Sequence, residues 1–350
     1  MKTFSFGKSL VSEKGPCYFI AEIGHNHQGN LETALKMVKV AAACGVQAIK
    51  LQKRDNKSLY TKAFYNKPYD NENSYGATYG EHREFLEFGR EEYLALMKCA
   101  EENNVEFMST AFDFKSADFL EELGVTSFKI ASADLINTPL LEYVAKFGKP
   151  MFVSTGACTL EEVRLAYETM MKYNDRICLL HCMAGYPTEY HDLNLNVIDV
   201  FKKEFPEAAI GYSGHDNGIL ASVIAYMLGA TVVEKHFTLN RAWKGTDHKF
   251  SLEPEGLRKQ VRDLRRVDMS LGSSKRIVYD IEVEPRKKMG KGIYASRALQ
   301  AGAVLTMDDL VLKTPPNGLP PYRIAELIGR KLKSDLEEEG SLSLDVVEQA

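Results

Sequence analysis

Gly229-Ala-Thr-Val-Val-Glu-Lys-His236 is a short β-branched run that closes on an acid, a base and an imidazole. Side chains alternate along a strand, so Glu234 and His236 share one face and Lys235 takes the other. Burying an acid and an imidazole costs free energy unless each finds a partner, which marks this strand end as a place for chemistry. Upstream, Ala209-Ile-Gly-Tyr-Ser213-Gly-His215 has the same form, a short apolar run ending in Ser and His. Two parallel strands of one sheet bring His215 and His236 together at their carboxyl ends. Such an imidazole pair suits Mn²⁺, Co²⁺, Zn²⁺ or Mg²⁺ with positions left open for water and substrate. The bland alternative is two satisfied core histidines, and the nearby acids Glu234 and Asp247 count against it.

Working outward, the same strand-then-helix alternation runs back to the start of the chain. Strands are predicted over Tyr18–Glu22, Val46–Gln52, Val105–Thr110, Ser127–Ser132, Pro150–Gly156 and Ile177–Cys182. Between them lie apolar stripes at helical spacing, such as Leu31, Leu35, Val38 and Ala42 stopped by Gly45. Thr138 is read as a cap with Pro139 in the first turn, and Thr159-Leu-Glu-Glu162 as a capping box. Arg54 to Arg90 is too long for a routine connection and is expected to be an active-site loop. A last helix is expected from Pro254 to about Met269. Repeated strand–helix units over residues 1–272 predict an α/β fold, a (β/α)₈ TIM barrel. The predicted strand ends carry Glu22, Lys50, Gln52, Thr110, Lys129, Ser132, Ser154, Cys182, Ser213, His215, Glu234 and His236, and barrel enzymes place their catalysis on that rim.

After Gly272 the periodicity changes. Residues 273–290 are basic and polar and read as a linker. Residues 291–350, with short apolar pieces and four prolines at 315, 316, 320 and 321, read as a compact strand-and-turn domain. A faint repeat relates Leu299, Gly302 and Leu305 to Leu336, Gly340 and Leu342.

A net charge of −4 gives no reason to expect nucleic acid or an anionic membrane as a partner, so an anionic substrate must be held by a few local cations. Apolar stretches are strand-sized, and the N-terminus lacks the apolar core of a secretory signal. The six cysteines show no CxxC and read as reduced residues of a cytoplasmic protein. A catalytic thiol at Cys182 is the alternative there, without an organised base. Lys50 and Lys129 want an anion or a carbonyl substrate, and charge pairing is favoured over Schiff-base chemistry. His25, Asn26 and His27 in the first loop, and Tyr186 after the sixth strand, face the same mouth. His25 and His27 are read as structural.

At this point the residues carry a resemblance. Ala21-Glu-Ile-Gly-His-Asn-His-Gln-Gly29, Phe128-Lys-Ile-Ala-Ser132, Ser154-Thr-Gly156, His181-Cys182 with Tyr186-Pro187-Thr188, Gly211-Tyr-Ser-Gly-His215 and Glu234-Lys-His-Phe-Thr238 together resemble the sialic acid synthases. The C-terminal region resembles that family's antifreeze-like (SAF) domain. The resemblance implies a metal-dependent condensation of phosphoenolpyruvate with N-acetylmannosamine or its 6-phosphate, releasing phosphate by C–O cleavage. It implies His215 and His236 as ligands of a divalent metal, Mn²⁺ first, with Mg²⁺ or Co²⁺ as alternatives. Lys50, Thr110 and Ser132 are then expected on the carboxylate of phosphoenolpyruvate, and Lys129, Ser154 and Ser213 on its phosphate. Gln52, Tyr186 and Asp247 are expected on the sugar, with Glu22, Glu234 and Asp134 as acid, base or positioning groups. It further implies a homodimer in which the small domain caps the barrel mouth of the partner.

Three positions depart from the pattern: Ala184 where many members have Asn, Asp134 where many have Glu, and Thr314 where several free-sugar enzymes have Arg. Thr314, the Thr78–Arg83 segment and the Trp243–His248 segment resemble enzymes that take the phosphorylated sugar. Against them, only Lys244, Arg83, His82 and Lys67 are counted as cations free for a second phosphate. That count favours free N-acetylmannosamine. The 6-phosphate, or a legionaminate or pseudaminate precursor, is the alternative. A binding module built on a retired barrel is a third reading, opposed by the intact rim.

Overall fold

A computed structural model describes residues 4–6, 9–12 and 15–349. The chain divides into two compact units, Met1–Gly272 and Ser273–Ala350. The first opens with an antiparallel pair that sequence reading did not anticipate, β1 (Phe4–Phe6) and β2 (Ser9–Val11). Eight parallel strands follow: β3 (Tyr18–Gly24), β4 (Ala48–Lys53), β5 (Glu106–Ala111), β6 (Phe128–Ile130), β7 (Met151–Ser154), β8 (Ile177–Cys182), β9 (Ala209–Gly214) and β10 (Val232–His236). They close into a barrel in sequence order, with β10 pairing β3. This is the expected (β/α)₈ architecture.

The barrel interior is layered. Its lower layer is apolar: Tyr18, Ile20, Ala48, Met108, Phe152, Cys178, Leu180, Ala209 and Val232 form one cluster with Phe6 and Val11. Phe6 meets Tyr18 and Phe152 edge-on, with ring centroids 5.2 and 5.1 Å apart, so β1 and β2 supply side chains that fill the barrel from below. Because side chains alternate, the next inward positions on the same strands are Glu22, Lys50, Thr110, Ser154, Ser213 and Glu234. Register fixes their height: His236 lies opposite Glu22, Glu22 opposite Lys50, Gln52 opposite Thr110, and Thr110 opposite Lys129.

The surrounding helices are α1 (Leu31–Ala43), α2 (Asn56–Leu59), α3 (Lys62–Tyr65), α4 (Tyr79–Leu86), α5 (Arg90–Glu102), α6 (Phe114–Leu123), α7 (Thr138–Ala145), α8 (Leu160–Met171), α9 (Val197–Glu204), α10 (Leu220–Met227) and α11 (Pro254–Leu271). The capping box at Thr159 and Glu162 is present. At α7 the cap is Asn137, whose side chain accepts from the Leu140 N–H, and Thr138 is the first helical residue. The Arg54–Arg90 segment is not plain loop. Asp55, Thr61 and Thr78 each accept a backbone N–H and start the short helices α2, α3 and α4. Among the described residues, no helix is long and apolar enough to cross a membrane.

In the second unit the expected linker contains a helix, α12 (Asp280–Met289). Glu282 accepts the Tyr279 N–H at its start and pairs with Arg276, which supplies the local order that its polar composition hid. Beyond it, β11 (Gly292–Ala295) pairs antiparallel with β12 (Leu310–Lys313). A separate core gathers Ile293, Leu299, Leu305, Leu327, Leu332, Leu342 and Val347. The two halves of the faint repeat meet each other: Leu299 and Leu336 exchange backbone hydrogen bonds of 2.8 Å each.

Lys235 points out of the barrel and is buried behind it. Its Nζ donates to Asp216 O at 2.6 Å and Asp216 Oδ1 at 2.8 Å, and Tyr212 Oη donates to the same Oδ1 at 2.7 Å. Both charged groups are at most 1 % exposed, and removing one partner of such a pair strands the other charge. Lys235→Met is expected to lower unfolding stability by about 3–5 kcal/mol in urea titration. Adding Asp216→Asn should recover part of that loss; equal stability of Lys235→Met and the native protein would contradict this account.

Candidate active site

The residues singled out on the strand ends, with Tyr186 and Asp247 at the mouth, line one cavity of about 680 Å³ at the carboxyl ends of the strands, whereas Asp134 and the first-loop residues His25, Asn26 and His27 are not in its lining. Its floor is a row of alternating charges. Lys50 Nζ lies 2.8 Å from Glu22 Oε2 and 3.5 Å from Glu234 Oε1, and Lys129 Nζ lies 4.0 Å from Glu234 Oε1. Hydroxyls and an amide complete the row. Lys50 donates to Thr110 Oγ1 (3.1 Å), Lys129 to Ser154 Oγ (2.6 Å), Ser213 to Glu234 Oε1 (3.2 Å), and Gln52 to Glu22 Oε1 (2.7 Å). All four charged groups are almost fully buried.

Burial and neighbours move these groups apart. Burial, with the charge of Glu234, holds Glu22 above the ordinary carboxylate range despite Lys50. Glu234 is buried too, yet Lys129 and Lys50 on either side bring it below that range. Burial lowers Lys129, and the like charge of Lys50 adds to it. Burial also works against Lys50, but Glu22 and Glu234 together hold it above the ordinary lysine value. One carboxyl is thus inclined to keep a proton and the other to remain charged, the division that acid–base chemistry needs.

Backbone shape serves this floor at two glycines. Gly24 has φ +53°, and a Cβ there would stand 3.1 Å from Glu22 Oε1 and 3.2 Å from Gln52 Nε2. Gly156 donates its N–H to Ser132 Oγ at 2.9 Å, and a Cβ would meet that same oxygen at 2.9 Å.

On one side of the cavity the two imidazoles stand with ring centroids 5.3 Å apart. Phe250 packs edge-on against both, at 5.8 and 4.9 Å, and Tyr186 lies 4.2 Å from His215. His215 Nδ1 is 2.9 Å from Met183 O, so it donates there and leaves the Nε2 lone pair available. His236 Nδ1 is buried without a hydrogen-bond partner, 3.7 Å from Asp247 Oδ2. Burial pushes His236 down to about 3, which keeps the ring neutral as a metal ligand must be. Among the described residues, no three His, Cys, Asp or Glu side chains gather at metal-ligand geometry. The donor set fits a cation bound by these two imidazoles, each neutral once coordinated, with the remaining positions given to water or substrate.

Asp134 does not reach the cavity wall. It sits in the turn Ser132–Asp134, is 9 % exposed, and takes Asn137 Nδ2 at 3.5 Å; Ser132, Ala133 and Ile136 of the same stretch reach the wall instead. His27 is structural, stacked on Phe88 with centroids 4.1 Å apart. His25 is not simply structural: it stands between Arg54 and Arg83, both of which line the cavity. Arg54 went unnoticed in the sequence because it falls one residue beyond the strand end, where cations are usually solvated. Cys182 lines the cavity 3.9 Å from His215 Nδ1; burial would raise its thiol, but His215 and Lys129 bring it net down.

Burial raises Asp134 from 3.8 to about 6. Below pH 3.8 folded and unfolded chains both hold this proton, and between there and about 6 only the folded chain does, so this contribution to stability is lost as pH rises. Asp134→Asn is expected to be more stable than the native protein at pH 7.5, by about 2–3 kcal/mol at most. Urea titrations should find the gap closing below about pH 4; a pH-independent gap would count against a buried, proton-holding Asp134.

Comparison with known proteins finds a match to the NeuB family over residues 37–276 and to the SAF domain over residues 290–346. The chain is 40% identical over 339 residues to N-acetylneuraminate-9-phosphate synthase of Homo sapiens, covering 97% of this chain and 94% of that one. It is 36% identical over 338 residues to N,N'-diacetyllegionaminic acid synthase of Legionella pneumophila, covering 95% of each. Among solved structures, N-acetylneuraminic acid (sialic acid) synthetase from Leptospira borgpetersenii superposes with a TM-score of 0.71 at 32% identity, covering 81% of this chain and 95% of that one.

Proposed function

Because this chain belongs to the NeuB family, we propose that it condenses phosphoenolpyruvate with an N-acylated mannosamine 6-phosphate, giving a nonulosonate 9-phosphate and inorganic phosphate. The observation that carries the reading is the cavity floor, where two buried lysines stand either side of Glu234, each with its own hydroxyl partner. Two such cations match the two anionic ends of phosphoenolpyruvate. Lys50, Thr110 and Ser132 take the carboxylate; Lys129, Ser154 and Ser213 take the phosphate. Gln52, Tyr186 and Asp247, on the outer wall, orient the sugar.

His215 and His236 would hold a divalent cation, Mn²⁺ first, that polarises the sugar carbonyl. The lysines and hydroxyls set C3 of phosphoenolpyruvate against that carbonyl carbon. As the carbon–carbon bond forms, the carbonyl oxygen takes a proton, for which Glu22, shifted by burial toward its protonated form, is the donor. C2 is left electron-poor and is attacked by water, whose proton Glu234 accepts, held ionised by the two lysines. The tetrahedral centre then collapses to the keto acid and expels phosphate.

Similarity to the human 9-phosphate synthase supports the phosphorylated sugar over free N-acetylmannosamine, and the Legionella relative supports a legionaminate-type sugar as the second reading. Phosphate release measured with these three sugars tests the assignment. A preference of at least tenfold in kcat/KM for the 6-phosphate is expected, worth about 1.4 kcal/mol in the transition state; a preference for either free sugar would overturn it. We also infer a cytoplasmic homodimer whose small domain caps the partner's barrel mouth. Six free cysteines support the compartment, and family resemblance alone supports the dimer.

Attack of water at C2 breaks the C–O bond, so phosphate leaves with the original bridging oxygen. Phosphoenolpyruvate labelled with ¹⁸O at the bridge should deliver its label to inorganic phosphate, read by mass spectrometry. Label retained in the keto acid would exclude this route.

A further inference from the structure

Three nitrogen-bearing side chains meet on the outer wall of the cavity in an arrangement that the chain's own groups do not satisfy. Arg54 follows β4 directly and is 7 % exposed. Its guanidinium carbon lies over Phe112, 3.6 Å from the ring centroid, and Nη2 donates to Gln52 Oε1 at 2.8 Å. Arg83, from α4, donates through Nε and Nη2 to Tyr79 Oη at 3.0 and 2.8 Å. The remaining terminal nitrogens converge on one imidazole: Arg54 Nη1 is 3.3 Å from His25 Nε2, and Arg83 Nη1 is 3.2 Å from His25 Nδ1.

A guanidinium only donates, and a neutral imidazole has one acceptor nitrogen. Whichever tautomer His25 adopts, one contact sets an N–H against an N–H. Protonating the ring worsens the conflict, and burial together with Arg54 and Arg83 holds His25 well below its ordinary value. Glu87 Oε1, 3.7 Å from His25 Nε2, favours the proton on that nitrogen. Nδ1 then accepts from Arg83, and Arg54 Nη1 is left facing a donor. Among the described residues neither guanidinium has a carboxylate within 4.0 Å; Glu87 accepts the Arg54 backbone N–H at 3.2 Å and is paired with Lys53 at 3.2 Å. Arg54 is buried beside a second cation, with the charge of Glu87, shared with Lys53, to offset it, and such an imbalance is costly.

The location narrows the missing acceptor. Arg54 is bonded to Gln52, and Arg83 is drawn electrostatically to Asp247, both residues of the sugar end of the cavity. Lys50 and Lys129, by contrast, are inward strand residues on the floor. We propose that Arg54 and Arg83, held either side of His25, form the seat for the phosphoryl group of the acylated hexosamine phosphate. A phosphate monoester carries close to two negative charges and three acceptor oxygens, enough to take Arg54 Nη1 and Arg83 Nη1 together. This rests on the reading of the cavity mouth as a sugar site.

The test compares native protein, Arg83→Gln and Arg54→Gln, each loaded with the same metal. The first readout is the ratio of kcat/KM for N-acetylmannosamine 6-phosphate to that for the free sugar. The second, without turnover or phosphoenolpyruvate, is the difference in thermal-melting shift produced by the two sugars. In the native protein both should favour the phosphate, and each variant should cut the kcat/KM ratio at least tenfold and erase the melting difference. If the native protein favours the phosphate and the variants keep the ratio within twofold, the seat is overturned while the proposed function stands. If the native protein shows no preference, the reading on which the seat rests falls, and the seat with it. Arg54 is the more buried group, so if Arg54→Gln does not fold, Arg83→Gln decides alone.

Discussion

The alternation Glu22, Lys50, Glu234, Lys129 across the barrel is the interaction on which the site depends. Four charges removed from water would each cost several kcal/mol unpaired, and the strand register sets them at 2.8, 3.5 and 4.0 Å so that every one has an opposite neighbour. With Glu22 ionised the row is neutral, and with Glu22 protonated it carries one net positive charge. It is also poised: an anion arriving beside Lys50 competes for the charge that restrains Glu22, so binding and proton retention on Glu22 favour each other.

That row can be held only if what lies beneath and behind it does not yield. Beneath, Phe6, Tyr18 and Phe152 fill the barrel as interlocking rings. A close-packed layer of this kind transmits strain rather than absorbing it. Behind, Lys235 and Asp216 lie one residue from His236 and His215 respectively, and bond to each other across the back of the sheet. The outward face of β10 thus clamps the segment that carries one imidazole to the strand that carries the other. Alternation along a single strand gives Glu234 and His236 to the site and Lys235 to the support that positions it.

Most of the site was legible because strand ends are legible: a β-branched run fixes which residues face inward and how high each stands. His215, His236, Lys50, Lys129 and both glutamates follow from that rule alone. What sequence reading missed lies where no period governs. Arg54 is one residue past a strand, and nothing local distinguishes it from a solvated loop cation; its burial comes from Phe112, on the neighbouring strand's exit. Asp216 looks like part of a polar turn, and its partner is brought by strand pairing. The expectation for Asp134 comes from family resemblance and from no period in the sequence, and the turn there sets its carboxyl against Asn137. The helices α2 to α4 and α12 are too short or too polar for an apolar stripe, and only their caps announce them.

The two ends of the cavity solve opposite problems. At the floor, cations are matched by carboxylates at close range, so the field there is largely cancelled until a ligand separates the pairs. At the outer wall, Arg54 and Arg83 are steadied by an aromatic face, a phenol, an amide oxygen and an imidazole, none of which carries a full negative charge. Polarisable faces and neutral acceptors hold a guanidinium in place without spending its charge. In an acidic protein two such guanidiniums place positive charge on the cavity wall, and a low-dielectric surround concentrates their field. An anion that reaches the floor must break existing ion pairs, and one held at the outer wall need not.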